Sequence, residues 1–373
     1  MISMIRAAKF RFYPTLKQRR QLSKEFGQSR YVYNYFLKLK SELYKSEKKN
    51  ISRFDMSALL TKLKCEFPWL RQSSSTTLGE TLEDLDNAFK AFFKKNARYP
   101  KQKKRYSKQS VRYNINKRQK NIFLDGRLLK LPKLGNCKLV WTSPVDNMPN
   151  TATVSRDTCG DWFISLQFES NIVPYVKETS KEIGLDFGLT SLITTSEGEK
   201  IKPPRPYHKA RKKLKRRARH LSRAKKKSKN RIKKRLRVAR VHRQIANQRK
   251  DFLHKTSTSI VSQYCAIAIE DLSVKSMAAR QNGQRKLARS IGDAGWRELR
   301  TFLEYKSTWY GRELMLIPRF QKSTGVCPGC GHEHKLDLSE RSFQCQGCGI
   351  IHDRDIAAAQ VILGIARSAR TAA

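Results

Sequence analysis

Cys327-Pro-Gly-Cys330 and Cys345-Gln-Gly-Cys348 stand fourteen residues apart, and no other stretch of this chain restricts its backbone so tightly. Two C-x2-C knuckles at this separation let four thiolates converge tetrahedrally on one Zn²⁺ ion. Gly329, Gly331, Gly347 and Gly349 supply the tight turns that wrapping backbone around a metal requires. Two disulfides would use the same four residues, but they need an oxidising compartment. Met1 is not followed by an apolar signal segment, and no run of about eighteen apolar residues occurs. The expected setting is therefore cytoplasmic, with reduced thiols, one structural zinc and no membrane partner. Cys65, Cys137, Cys159 and Cys265 are scattered singly and read as ordinary structural thiols.

The 373 residues carry 79 Lys and Arg against 31 Asp and Glu, a formal charge of +48. Such an excess repels itself and is tolerated best against a polyanion, so nucleic acid is expected as a partner, with nucleoid association. Residues 209–250 hold 22 Lys or Arg and no acid. Leu214, Ala218 and Leu221, then Ile232, Leu236 and Ala239, keep a narrow helical seam there, and a break over 225–230 divides two basic helices. A merely solvated face mixes both signs of charge. This pair reads as a phosphate-binding surface, with Arg216, Arg217, Lys226, Lys234 and Arg235 as candidate contacts. A second basic stretch, residues 99–118, sets Tyr106 and Tyr113 among Lys104, Arg105 and other cations, which suits backbone contact plus stacking or a solvated loop.

Residues 9–13 alternate and end at Pro14, an opening strand. Thr15 with Gln18 is a capping-box start, and Leu22, Phe26, Tyr33 and Phe36 follow at helical spacing. A second helical stripe covers 77–93, with Trp69 and the polar run 73–77 as loop and N-cap. Short alternating segments at 121–124, 138–141, 152–155 and 162–168 turn at Asp125-Gly126 and Cys159-Gly160. They predict a small antiparallel barrel or sandwich that pairs with the first strand and encloses the helices as an insertion. Beyond it come strand–turn–strand over 182–195, a buried strand over 262–269, a polar loop over 283–294, an amphipathic helix over 296–310 and a last strand over 314–317.

Three acids occupy places suited to chemistry. Asp186 ends the apolar strand Ile183-Gly184-Leu185-Asp186 before the turn at Gly188. Glu270 ends the buried strand, where α/β sheets place their ligands. Asp355 opens the small-residue helix Asp355-Ile356-Ala357-Ala358-Ala359. Three clustered carboxylates cannot all stay ionised without cations, and hard oxygen ligands select Mg²⁺ or Mn²⁺. Two such ions would serve an in-line phosphodiester displacement, the chemistry of an RNase H-like nuclease. Singly, Asp186 reads as a turn residue, Glu270 as a strand-end ion pair and Asp355 as a helix cap; Asp271 and Asp353 are near neighbours that compete for the roles.

Taken in order, Gly184-Leu185-Asp186-Phe187-Gly188-Leu189, Ile269-Glu270-Asp271-Leu272-Ser273-Val274, the cysteine cassette and Asp353-Arg354-Asp355 resemble the TnpB (OrfB) family of transposon-encoded RNA-guided nucleases, compact relatives of type V CRISPR effectors. Phe10-Arg11-Phe12-Tyr13-Pro14-Thr15, Arg30-Tyr31-Val32-Tyr33-Asn34 and Ser290-Ile291-Gly292-Asp293-Ala294-Gly295-Trp296 extend the resemblance over nearly the whole chain. Two departures stand out: Ala357 where the family usually has Asn, and Gln321-Lys322-Ser323-Thr324 where a Pro-Ser-Ser-type run often precedes the first cysteine.

The resemblance implies an α/β and β multidomain protein: an RNase H-like (RuvC) nuclease domain over 181–324 and 351–373, interrupted by a zinc ribbon over 325–350. A wedge-like β-barrel over 1–15 and 119–180 would carry a helical recognition domain over 16–118. Asp186, Glu270 and Asp355 would hold two catalytic Mg²⁺ ions, and Cys327, Cys330, Cys345 and Cys348 the zinc. The implied partners are a transposon-derived non-coding guide RNA and double-stranded DNA bearing a short adjacent motif, with one protein copy per ribonucleoprotein. Tyr31, Asn34, Ser75 and Thr76 are the expected motif readers. A nuclease-inactive RNA-guided repressor, an accessory transposition protein and a transposase are the competing readings. The intact triad speaks against the first, and the ribbon placed just before the third acid against the last.

Overall fold

The computed structural model describes residues 4–105, 109–114, 122–125, 127–145, 147–170, 178–279, 285–319, 321–337 and 339–371. They form two compact units, Met1–Asn171 and Ile172–Ala373. Tyr106, Asn121, Gly126 and Gly283 lie outside the described residues.

In the first unit β1 (Met4–Phe12) leads through Thr15 into α1 (Leu16–Glu47). The Thr15 hydroxyl accepts from Gln18 N at 3.3 Å while Gln18 Oε1 accepts from Thr15 N at 2.9 Å, which closes the predicted capping box. Two helices follow, α2 (Arg53–Glu66) and α3 (Ser75–Phe93), joined by a short 3₁₀ turn. Helix α2 is an addition to the sequence reading, although Ser52 and Asp55 form a second capping box and Met56, Leu60 and Leu63 line one face. The remaining strands are β2 (Gln109–Asn114), β3 (Phe123–Asp125), β4 (Leu128–Leu131), β5 (Gly135–Cys137), β6 (Leu139–Val140), β7 (Thr151–Arg156) and β8 (Trp162–Ser170). They make a five-stranded antiparallel sheet, β2-β7-β8-β1-β6, and a three-stranded one, β3-β4-β5.

Alternation explains the packing. Phe10 and Phe12 of β1 turn inward with Leu22 and Phe26 of α1, while the intervening Arg11 pairs with Asp161 at 2.5 Å. Further along α1, Val32, Tyr33 and Phe36 join Met56, Leu60, Leu78 and Leu82 in a second core, so one helix serves both. The basic stretch is corrected here. Residues 109–114 are a strand of the sheet, and Tyr113 is fully buried, its hydroxyl donating to Glu25. A side chain buried against a carboxylate offers no stacking face to a base.

The second unit is built on β9 (Glu182–Asp186), β10 (Ile193–Thr195) and β11 (Lys200–Ile201), then α4 (Pro206–Ser222), α5 (Lys229–Gln263) and β12 (Ala266–Glu270). The helices α6 (Val274–Ala279), α7 (Arg285–Ala294) and α8 (Trp296–Trp309) precede β13 (Glu313–Ile317). Residues 285–294, expected as loop, are thus helical. The hairpin β14 (Ser342–Gln344) and β15 (Ile351–Asp353) leads into α9 (Arg354–Thr371). The sheet order is β11-β10-β9-β12-β13, with β12 parallel to both neighbours and the β9–β10–β11 edge antiparallel. Ile267 and Ile269 of β12 face a core with Leu253, Ile260, Leu299 and Leu303, whereas Ala266 and Ala268 face Ile362, Leu363 and Ala366 of α9. Small residues on that face let α9 lie close.

Helices α4 and α5 break over 223–228, and Ser228 caps α5 by accepting from Arg231 N at 3.1 Å. The apolar seam is thinner than the sequence suggests, for Ile232 is 49% exposed. Arginines supply the joints instead. Arg231 Nη1 donates to the carbonyls of Leu221 (2.8 Å) and Ala224 (2.9 Å), at and just past the end of α4, and Arg217 Nη1 donates to Arg237 O at 3.0 Å. Among the described residues, no helix is long and apolar enough to cross a membrane.

Candidate active site and metal centre

Strands β9 and β12 run parallel with Leu185 opposite Ile269, so Asp186 and Glu270 leave the same end of the sheet side by side. The first turn of α9 brings Asp355 to that end. Gly184 permits this, because any side chain at that position would strike the α9 backbone at Ala359. The half-buried Asp186 is pushed up to about 7, first by burial and then by the charges of Asp355 and Glu270, with some relief from Arg354. Burial and Asp271 likewise raise Glu270. The three carboxylates therefore share one electrostatic neighbourhood.

The competing acids are otherwise engaged. Asp271 accepts from Arg300 and from Arg319 Nη2 at 2.8 Å. Asp353 pairs with Lys200 Nζ at 2.6 Å, and its Oδ1 accepts from the backbone N of Asp355 (3.1 Å) and Ile356 (3.2 Å). Asp353, not Asp355, thus caps α9. Among the described residues no cation pairs with Asp186 or Glu270. Arg354 touches Asp355 Oδ1 from two nitrogens, at 3.2 and 3.3 Å. Three oxygen-bearing side chains lacking enough cations suit a hard divalent ion such as Mg²⁺. Ala357 is buried along the inner face of α9.

In the ribbon the four Sγ atoms of Cys327, Cys330, Cys345 and Cys348 all lie within 4.8 Å of one another. Cys327–Cys348 is 3.6 Å and Cys330–Cys345 is 3.4 Å, too long for disulfides. Zn–S bonds of about 2.3 Å in a tetrahedron put sulfurs about 3.8 Å apart, so the set fits one zinc ion. Backbone N–H groups of Cys330 and Gly329 help to lower the Cys327 thiol. Gly331 and Gly349 both hold φ of 75°, the left-handed turn the knuckles need.

The other candidate contacts separate into engaged and open groups. The Asn34 side-chain amide donates to Lys103 O (3.0 Å) and accepts from Lys103 N (2.8 Å), so both its ends hold a neighbouring segment. Tyr31 is half-buried in a ring cluster with Trp69 (5.1 Å), Phe67 (5.9 Å) and Tyr35 (6.2 Å). Ser75 is exposed at the start of α3, and Thr76 shares a hydrogen bond with Ser74 at 2.9 Å. Lys104, Arg105, Arg216, Lys226 and Arg235 are exposed, whereas Lys234 is half-buried and Arg217 spans the helix pair. Sequence reasoning missed Asp293. Its carboxylate accepts from Tyr207 N (3.1 Å) and His208 N (3.3 Å) at the start of α4 and pairs with Arg249 of α5 at 3.1 Å, bolting down the root of the basic pair. The signal was an acid between Gly292 and Gly295.

A mixed five-stranded sheet with acids at the ends of adjacent parallel strands and at a following helix defines an RNase H-like α/β domain of RuvC type. Residues 162–281 match the OrfB IS605 model described as "Probable transposase", and residues 296–362 match the Cas12f1-like TNB domain. Residues 1–49 match a model described as a helix-turn-helix domain, although the described residues among them form β1 and the single helix α1. A Streptomyces pristinaespiralis protein named "Putative RNA-guided DNA endonuclease" is 42% identical over 98% of this chain and 90% of its own length. InsQ of Escherichia coli K12, given the same description, is 34% identical over 96% and 92%. A solved structure of Cas12f1 with sgRNA and target DNA shares the fold at a TM-score of 0.53 and 13% identity, covering 96% of this chain and 98% of that one. The chain belongs to the TnpB (OrfB) family.

Proposed function

We propose that this protein is a metal-dependent, RNA-guided DNA endonuclease of an insertion sequence. The observation that carries the site assignment is the division of labour among five acids: Asp271 and Asp353 are consumed by ion pairs and a helix cap, while Asp186 and Glu270 pair with no cation among the described residues and Asp355, held by Arg354 and Arg341, converges on them. These three would hold Mg²⁺ or Mn²⁺, which when bound supplies charge stabilisation to both oxygens of an in-line phosphodiester displacement. The chain's own part is to fix the carboxylates on two rigid strands and one helix, so that little reorganisation remains at the moment of reaction. Asp186, pushed up to about 7 by burial and by the charges of Asp355 and Glu270, would bind such an ion in its ionised form.

The names of the full-length relatives support guidance by RNA and action on DNA. The +48 charge suits a folded RNA and a guide–target duplex held through their backbones, with sequence read by pairing. Helices α4 and α5 are the proposed backbone-binding surface, through Arg216, Lys226, Lys234 and Arg235. Ser75, Thr76 and the Tyr31 ring cluster are the proposed readers of a short duplex motif, with the β-sheets of the first unit as the wedge module beneath them. The ribbon's four cysteines would hold a structural zinc with no open position.

Purification without nuclease treatment should bring down one discrete RNA. A plasmid library randomised beside a target matching that RNA should then be cut in Mg²⁺, and not by Asp186→Ala or Glu270→Ala protein that still holds the RNA. Cleavage by both variants would refute the site. Heterogeneous RNA released uniformly by salt would refute guidance.

A further inference from the structure

The ribbon and the third carboxylate are physically one piece. Cys327 Sγ lies 3.3 Å from His352 Nε2, and His352 sits on β15 opposite Phe343. Its ring and the Phe343 ring are 5.5 Å apart, centroid to centroid. One residue on, Asp353 caps α9 and pairs with Lys200 beside the sheet. Arg354 N donates to Arg341 O at 2.8 Å, and its Nη1 reaches Asp337 O at 3.4 Å; both acceptors belong to the ribbon. The same guanidinium grips Asp355 Oδ1, while Arg341 Nη1 stands 3.9 Å from Oδ2. Both cations that hold the Asp355 side chain therefore belong to, or are anchored by, the zinc-binding loop.

We infer that the ribbon is the mount of Asp355: folding of the four-cysteine knot sets the third carboxylate, with His352, Arg341 and Arg354 as positioning residues. The inference rests on the proposed metal site and adds a role to a module whose position alone suggests nucleic-acid handling. Helix α9 fixes the Cα of Asp355 by packing on the sheet. The rotamer and the entry angle of the first turn are fixed from the other side, by contacts that vanish if the loop unravels. Groups that orient a metal ligand typically matter about 10–100-fold in affinity when removed.

The test is Mn²⁺ binding to the RNA-free full-length protein, followed by electron paramagnetic resonance. Thiolates are soft ligands and do not compete for Mn²⁺. Asp355→Asn should weaken binding, which checks the site itself. Cys348→Ser, with its zinc lost, should weaken Mn²⁺ binding about tenfold or more. His352→Ala should keep one zinc per chain and still weaken Mn²⁺ binding in the same direction, which separates coupling from a misfolded ribbon. If Asp355→Asn weakens Mn²⁺ while Cys348→Ser and His352→Ala bind it as the wild type does, the mount is overturned and the metal site stands. If Asp355→Asn itself binds like wild type, the site reading fails beneath it.

Discussion

A β-carbon on Gly184 would collide with the carbonyl oxygen of Ala359. That contact is backbone against backbone, with no side chain free to swing aside. It explains why glycine precedes Leu185-Asp186 and why alanines follow Asp355: helix and strand touch at the point where two of the three acids are delivered. Gly184→Ala should cost about 3 kcal/mol or more, the upper range for overpacking. Urea unfolding reads this directly, and an unchanged midpoint would mean that α9 does not lie on β9 as described.

Asp186 couples function to stability through pH. Its folded pKa of about 7 lies above the ordinary 3.8. A raised carboxylate contributes stability that is complete below the unfolded value and is lost as pH rises through the folded one. Without added divalent ions the protein should therefore lose stability between about pH 4 and pH 7 on account of this group. Asp186→Asn should be more stable than wild type at pH 8 by about 1–3 kcal/mol, since each unit is worth about 1.4 kcal/mol before solvent screening. Thermal melts at pH 5 and pH 8 compare the two. A wild type that gains stability from Asp186 at high pH would contradict the clustering of acids.

The basic helices offer a graded test. Arg216, Lys226 and Arg235 are exposed, so replacing all three with alanine should lower the salt slope of nucleic-acid binding by about 0.7–0.9 for each phosphate left without its cation. Arg217→Ala should act differently. It removes the bridge to Arg237 O and should show mainly as a lower melting temperature. A slope change of about 0.7–0.9 on Arg217→Ala alone would mean that Arg217 faces the nucleic acid after all.

Asn34 and Ser75 should part company in the same way. Asn34→Ala breaks both hydrogen bonds to the Lys103 backbone and should cost about 1–2 kcal/mol of stability without changing motif preference. Ser75→Ala removes an exposed hydroxyl and should leave stability within about 0.5 kcal/mol. A change of motif preference in Asn34→Ala but not in Ser75→Ala would reverse the assignment.

These cases mark what a sequence discloses. The capping box at Thr15, the two basic helices, the paired knuckles and the order of the acids are legible because each depends on residues close together or on a spacing tied to one chemistry. Helix α2 is equally local, but its Ser52–Asp55 cap opens only a weakly apolar stripe. Tyr113 misleads because alternation along β2 tells inside from outside only when the partner strand is known. The choice between Asp353 and Asp355 needs Lys200, 153 positions away, and that of Glu270 over Asp271 needs Arg300 and Arg319. Asp293 is invisible for the same reason, since its partners lie 44 to 86 positions upstream.

Arg231 Nη1 serves two carbonyls at the end of α4, and Arg217 reaches a third on α5. A lysine at either place would keep the charge, but its compact, strongly hydrated ammonium gives up water for a carbonyl less readily than a guanidinium does. Drift in genomic base composition often trades arginine codons for lysine codons. In this protein such drift would leave net charge and calculated isoelectric point almost untouched, yet it would loosen the crease between the helices. Two homologues with equal charge would then differ in how firmly the two helices hold together.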